Sequence, residues 1–177
     1  MTKQFQAWVE TYQDDAWSLA RYLLDDASEA EDATQEAFIT LWKNRRKVDP
    51  EKIRAWLMKV VRNGCMDRLR VRRPQAPILA EAAASDEPEP GADGPAENVE
   101  QTQLGLQMRR AIAGLDEPYR TLVVLRDVHQ HSYAEIAGVT DLSMDQVKVY
   151  LHRARRRLRV VLADVLAEGL ERAPGSE

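Results

Sequence analysis

Two short strings constrain this chain more than any others. Ser132-Tyr-Ala-Glu135 and Ser143-Met-Asp-Gln146 each set a serine three positions ahead of a Glu or Gln. At that spacing the hydroxyl and the longer side chain reciprocally satisfy the amide donors that a helix leaves bare at its start. Two such starts eleven residues apart leave room for one short helix over 132–138, a tight turn, and a second helix from 143 to about 160. Ile136, Ala137, Val139, Leu142, Val147 and Leu151 are spaced to share a small core between them. This is the arrangement of a helix-turn-helix. Its second helix carries Lys148, His152, Arg153, Arg155, Arg156, Arg157 and Arg159. Such a hairpin serves either as protein packing or as a reader of duplex DNA. A polar first half followed by arginines suits the second use, with early residues at base edges and arginines on phosphates.

The formal net charge of −4 hides a segmented pattern. Residues 1–42 carry net −7, 43–73 net +9, 74–103 net −7 with no Lys or Arg, and 104–177 net +1. Within the last segment, Lys148 to Arg159 holds six Lys and Arg and no acid. Two separate basic blocks are either two polyanion contacts or two solvated helix faces. A chain that is 44% hydrophobic and 31% charged has a globular composition. No apolar run approaches the roughly 18–20 residues needed to span a bilayer, so membrane insertion is not expected. The start MTKQFQAWVE lacks a basic stretch followed by an apolar core, and Cys65 is the single cysteine. A secretory leader, an internal disulfide and a multi-cysteine zinc site are therefore not expected, and the reading is of a cytoplasmic protein.

Pro74, Pro77, Pro88, Pro90 and Pro95, with Gly91 and Gly94, fall in the acidic stretch. Proline removes backbone donors, and little apolar surface is present to offset ordering. The expected fold is all-α: two small helical domains, 1–73 and 104–177, joined by a flexible acidic linker at 74–103. In the first, Phe5, Trp8, Val9, Tyr12, Ala16, Leu19, Ala20 and Leu23 recur at helical steps. Ser28 and Glu31 read as a capping box opening a second helix with the stripe Ala30, Ala33, Ala37, Phe38, Leu41 and Trp42. Asp49-Pro50 reads as an N-cap followed by proline at the first helical position. The third helix then turns Ile53, Trp56, Leu57, Val60 and Val61 inward and ends near Pro74. In the second domain a helix over 104–113 ends at Gly114, and Asp116 and Pro118 start another through about Val128. The run Thr121 to Leu125 has strand-like composition, but Leu115, Tyr119, Leu122 and Val123 keep helical spacing.

SYAEIAGVTDLSMDQVKVYLHRARRRL, preceded by LDEPYRTLVVLRDVHQH, resembles the C-terminal DNA-reading domain of bacterial sigma factors of the extracytoplasmic-function (ECF) class. EAEDATQEAFITLWKNR and IRAWLMKVVRNGCMDRLRVRR resemble the first domain of the same class, in the same order. The resemblance implies an alternative sigma factor that binds core RNA polymerase and directs promoter-specific initiation. It places Glu31, Asp32, Gln35, Glu36 and Phe38 at a coiled coil of the β′ subunit, and the C-terminal domain at the β flap. An acidic exposed face beside an apolar seam suits a basic helical partner. It assigns minus-ten recognition and melting to the segment from Lys43 to Arg73. Lys59, Asn63 and Arg70, on one helix face, and Arg62 would hold the extruded strand. Asp67 matches a family position as well, as a DNA contact or as the partner of an arginine.

For the minus-thirty-five element the resemblance implies Lys148, Val149, His152 and Arg153 as readers, with Arg155 and Arg156 on phosphates. Two departures stand out. Val149-Tyr150 occupies a place where the family often has Ser-Arg, and Asp141 replaces a frequent turn glycine, though Asp tolerates a left-handed backbone better than most residues. Family members are commonly held by an anti-sigma protein, so such a partner is implied. The acidic linker would thread the RNA-exit path or remain a solvated spacer.

His129 and His131 are a metal-binding pair only with further ligands, and Asp127 is the one close acid, so a loop role is expected and no metal. Cys65 and the tryptophans Trp8, Trp17, Trp42 and Trp56 read as core. No phosphate-binding glycine loop, nucleophile elbow or catalytic acid pair is present, and neither enzyme activity nor a cofactor is expected. The rival function is a stand-alone helix-turn-helix transcription regulator. It leaves the basic third helix and the EDATQEAF helix without a role.

Overall fold

The computed structural model describes residues 3–72 and 103–171. The expectations for Arg73, for the acidic stretch up to residue 102 and for the last residues of the chain lie outside these. Every regular element among the described residues is helical.

Helix α1 (Lys3–Leu24) buries Phe5, Ala16, Leu19, Ala20 and Leu23, five of the eight residues of its sequence stripe. Asp25, with φ 54°, ends it in the left-handed conformation that Asp tolerates. Helix α2 (Ala27–Asn44) starts earlier than the Ser28–Glu31 box implied. Asp26 is the cap: its backbone is extended and its carboxylate accepts from the Glu29 amide at 2.8 Å. That leaves Ser28 inside the first turn, exposed, where its hydroxyl has no cap position to fill. Asp49 caps as its sequence implied, accepting from the Glu51 amide at 3.0 Å. A single 3-10 turn, Pro50–Lys52, leads into α3 (Ile53–Arg72). The buried face of α3 is Ile53, Leu57, Met58, Val61 and Cys65, whereas Trp56 and Val60 are only partly covered. The helices α1, α2 and α3 all pack on one another. Full burial of each Leu, Ile or Val here is worth roughly 1.5–3 kcal/mol. Phe5 meets Trp42 edge-on with ring centroids 4.9 Å apart, and Arg45 lies over the outer Trp42 ring at 3.8 Å.

The second group begins with α4 (Gln103–Ala113). Next comes α5 (Tyr119–Val123), continued by a π-helical turn, Val124–Val128. The strand-like run is thus helical, with Thr121, Leu122, Val123, Val124 and Leu125 all buried. Helix α6 (Tyr133–Thr140) carries the complete Ser132–Glu135 capping box. Its end is Asp141 in the left-handed region, φ 58° and ψ 25°. Ser143 and Gln146 form the second box, with bonds of 2.8 and 3.2 Å. Helix α7 (Met144–Glu171) continues well past residue 160, where the sequence stripe was expected to stop. It packs on α4, α5 and α6.

The two groups touch. Helix α6 lies against α3, and α1 contacts α4, α5 and the π turn. This contact has no counterpart in the sequence expectation of tethered units.

Candidate nucleic-acid interface

Helix α7 is held by one stripe: Val147, Leu151, Ala154 and Leu158 are buried at steps of three and four. That spacing puts Lys148, Val149, His152, Arg153, Arg155 and Arg156 on the exposed remainder, and the structure leaves all six exposed. Val149 is 46% exposed, a large apolar side chain facing outward near the head of the helix. Arg155 differs from its neighbours. Its Nε donates to Asp127 Oδ2 at 3.0 Å and its Nη2 to Asp127 Oδ1 at 2.5 Å. The hydrogen bond to Asp127 raises the Arg155 pKa above its ordinary value. This fork ties α7 to the end of the π turn. Arg157 is also engaged, 4.4 Å above the Tyr119 ring and 3.7 Å from Asp116. Lys148 near the helix start pairs with Asp145 one turn back at 3.5 Å, and Arg153, Arg156 and Arg159 are exposed along the rest of the helix.

The basic side of α3 is organised differently. Asn63 and Arg70 are exposed, and Arg70 pairs with Asp67 at 2.9 Å one turn away. Asp67 thus has an arginine partner on its own helix. Arg62 is half-buried, and its Nε has no hydrogen-bond partner among the described residues. Lys59 Nζ donates to Asp141 Oδ1 at 2.5 Å. The residue expected to meet a DNA strand therefore meets the turn of the helix-turn-helix.

On α2, Glu31, Asp32, Gln35 and Glu36 form an exposed row, and Phe38 packs half-buried against the core beside them. Gln35 donates to Glu31 at 3.1 Å, and Glu36 pairs with Arg68 of α3 at 2.8 Å. Glu29 pairs with Arg72. The acidic row is thus partly braced by α3, while its outer oxygens stay in solvent.

Five residues that the sequence did not single out as a group, Asp15, Ser18, Arg54, His129 and His131, come together between the two helix groups. Arg54 donates to Asp15 Oδ2 from Nε at 3.3 Å and from Nη2 at 3.0 Å, and its Nη2 also donates to the His129 carbonyl at 2.6 Å. His129 Nε2 lies 3.0 Å from Ser18 Oγ. His131 is fully buried, with neither ring nitrogen hydrogen-bonded among the described residues. Burial pushes the His129 pKa down to about 4, with Asp15 opposing and His131 and Arg54 reinforcing. Burial and then Arg54 push His131 down as well. The histidines of the expected loop are thus interface residues. No group of three potential metal ligands occurs among the described residues. Cys65 is buried core as expected, and burial lifts its thiol to about 12. No described helix is long and apolar enough to cross a membrane.

A basic recognition helix on a capped helix-turn-helix, joined to a three-helix unit with acidic and basic faces, defines a DNA-reading protein with a second binding surface. Comparison with known proteins makes this specific. The Sigma-70 region 2 family model matches residues 8–75, and the Sigma-70 region 4 model matches residues 105–158. The chain is 32% identical to the ECF RNA polymerase sigma factor SigW of Bacillus subtilis, over 89% of this chain and 88% of that protein. It is 30% identical to the RNA polymerase sigma-E factor of Streptomyces coelicolor, over 96% and 93%. Its fold is similar to that of the sigma factor RpoE of Bartonella quintana, solved with the anti-sigma factor NepR. The TM-score is 0.71 at 20% identity, covering 92% of this chain and 98% of that one. The chain belongs to the ECF sigma factors of the sigma-70 family. It is an alternative sigma factor directing transcription initiation, and nothing in the comparisons supports the stand-alone regulator.

Proposed function

We propose that the two matched regions divide the work of initiation along the faces described above, with domain limits at 1–73 and 104–177 and residues 74–103 as the connecting segment. Glu31, Asp32, Gln35 and Glu36, with Phe38 at their edge, engage core RNA polymerase through a basic helical element of the β′ subunit. Lys59, Arg62, Asn63 and Arg70 bind the single strand of the minus-ten element. Lys148, Val149, His152 and Arg153 read the minus-thirty-five duplex, and Arg156 holds phosphate. Arg155, forked onto Asp127, serves the same interface by fixing the angle of α7. The β flap contacts the C-terminal unit. RNA synthesis itself belongs to the polymerase, so the sigma factor contributes recognition and strand separation in the cytoplasm. The anti-sigma factor NepR bound to one solved relative, and the cytosolic domain of CnrY bound to CnrH, support an anti-sigma factor for this chain too.

The observation that carries this reading is the separation of signs: an exposed acidic row on α2 and an exposed basic face on α7. A titration against bacterial core RNA polymerase tests it. Tight binding is expected, and Asp32→Arg with Glu36→Arg weakens it by tenfold or more, because like charges then face each other across the contact. Equal affinity of the folded double variant removes α2 from the polymerase interface.

A further inference from the structure

Helix α7 turns one apolar residue directly away from its own core. At about 3.6 residues per turn, the buried stripe Val147, Leu151, Ala154 and Leu158 marks one side of the helix, and Val149 lies roughly 170° from its centre. Arg156, two turns on, shares that line, while Lys148 falls on one side of it and Arg153 on the other. The residues around Val149 are tied elsewhere. Lys148 pairs back with Asp145 at 3.5 Å. Tyr150 meets Tyr119 edge-on, with ring centroids 5.6 Å apart, and so fastens the helix to α5. Arg155 is forked onto Asp127, and Arg157 lies over the Tyr119 ring. These contacts fix the angle of α7. Val149 is itself stiff, because a β-branched side chain in a helix keeps one strongly preferred rotamer.

A single exposed apolar side chain is ordinary on a protein surface. The place of this one sets it apart. It stands among Asp145, His152, Arg153 and Arg156, on the early part of a recognition helix, where base edges are met. All four bases offer donors or acceptors in the major groove, and thymine alone adds a methyl group. Valine has no side-chain donor or acceptor. Against a guanine or cytosine edge it strips water from polar groups and returns no hydrogen bond. Against the thymine methyl both partners are apolar, and their burial is favourable.

We propose that Val149 makes promoter selection depend on a thymine methyl at one position of the upstream duplex. This rests on the sigma-factor reading and names the chemistry of one contact within it. Val149 and Arg153 are one helical turn apart. A turn rises about 5.4 Å and a base step about 3.4 Å, so the methyl-dependent position lies within about two base pairs of the one Arg153 contacts.

The test uses the full chain bound to bacterial core RNA polymerase. A duplex library randomised over the promoter region is enriched for binding to this holoenzyme, and the enriched upstream element becomes the probe. Each thymine of that element is replaced in turn by deoxyuridine, which removes only the methyl. One replacement is expected to weaken wild-type binding about fourfold, the worth of one buried methyl group. Val149→Ala binds the thymine and deoxyuridine probes alike, and Val149→Ile restores the preference. Alanine at an exposed helical position favours the helix, and circular dichroism verifies that both variants are folded. A wild-type methyl preference that survives unchanged in Val149→Ala overturns the assignment. So does an upstream element in which no thymine methyl matters. Both outcomes leave the sigma reading intact. Failure of the wild-type chain to bind core polymerase overturns the reading beneath.

Discussion

Helices α3 and α7 look alike as sequence and differ as surfaces. Each carries a run of cations beside an apolar stripe. On α7 the stripe is buried within the C-terminal unit and the cations point outward. On α3 the stripe is buried in its own unit, and the first basic turns are then engaged a second time by a different part of the chain. Charge pattern reports which residues avoid a core. It does not report whether another unit of the same chain arrives to cover them.

The contrast is most sharply broken by removing the platform of one helix alone. Leu151, 1% exposed, is the central buried residue of α7. Leu151→Ala is expected to cost about 2–5 kcal/mol. In urea unfolding followed by hydrogen exchange, the loss should fall on α5–α7 first, with α1–α3 protected longer. Simultaneous loss in both units would show that the seam couples them into one cooperative body.

Arg153→Ala comes next and probes the open face. If Arg153 makes a bidentate base contact, its loss costs about 1–3 kcal/mol of upstream-element recognition. Transcription across a set of upstream-element variants measures it. An unchanged preference would put the reading on other residues of α7.

Asp141→Ala acts on both helices together. A left-handed backbone at an alanine costs about 1–2 kcal/mol, and Lys59 loses its partner. The turn should become less stable in thermal melts while Lys59 becomes available. Asp141→Gly separates the effects, keeping the turn and losing only the pair. If both variants lower stability equally, the ion pair rather than the backbone carries the cost.

The smallest expected effect is on pH. His129 and His131 are buried neutral, with Asp15 of α1, Arg54 of α3 and Glu135 of α6 as the charged groups around them. In an open chain, its two units apart, His129 titrates near 6.5, while in the closed one, its units packed together, burial holds it down to about 4. Below about pH 6.5 the open form takes up a proton that the closed form refuses. Closure is therefore fully favoured above that pH and is lost as pH falls toward 4. For this one group the closed-to-open ratio should fall about fourfold between pH 7.5 and 6. Scattering radius against pH reads it, and His129→Gln should flatten the profile. A wild-type radius that does not respond would detach the histidine from the seam.

Much of both functional faces is legible in the order of the residues. The all-α class, the Ser132 and Ser143 boxes, the Asp49-Pro50 start and the left-handed Asp141 follow from rules that act within a few residues. So does the exposure of Glu31, Asp32, Gln35 and Glu36 on α2 and of the six α7 residues, since helical periodicity sets which side a residue takes once the apolar stripe is known. Where the start of α2 differs from the sequence pattern, the cause is local too. Ser28 and Asp26 both have capping side chains, and the extended backbone at Asp26 decided between them. Tertiary structure alone decided what lies between the units. Arg54 reaches Asp15 across 39 positions and the His129 carbonyl across 75, and Lys59 reaches Asp141 across 82. No periodicity spans such distances. A histidine in a polar loop and a histidine buried at a seam are the same letters in sequence, and only the burial of neighbouring surfaces lowers the pKa of one and not the other. The chain's own residues thus determine its helices and their polar faces, whereas the packing of one unit on the other decides which of those faces is left to solvent.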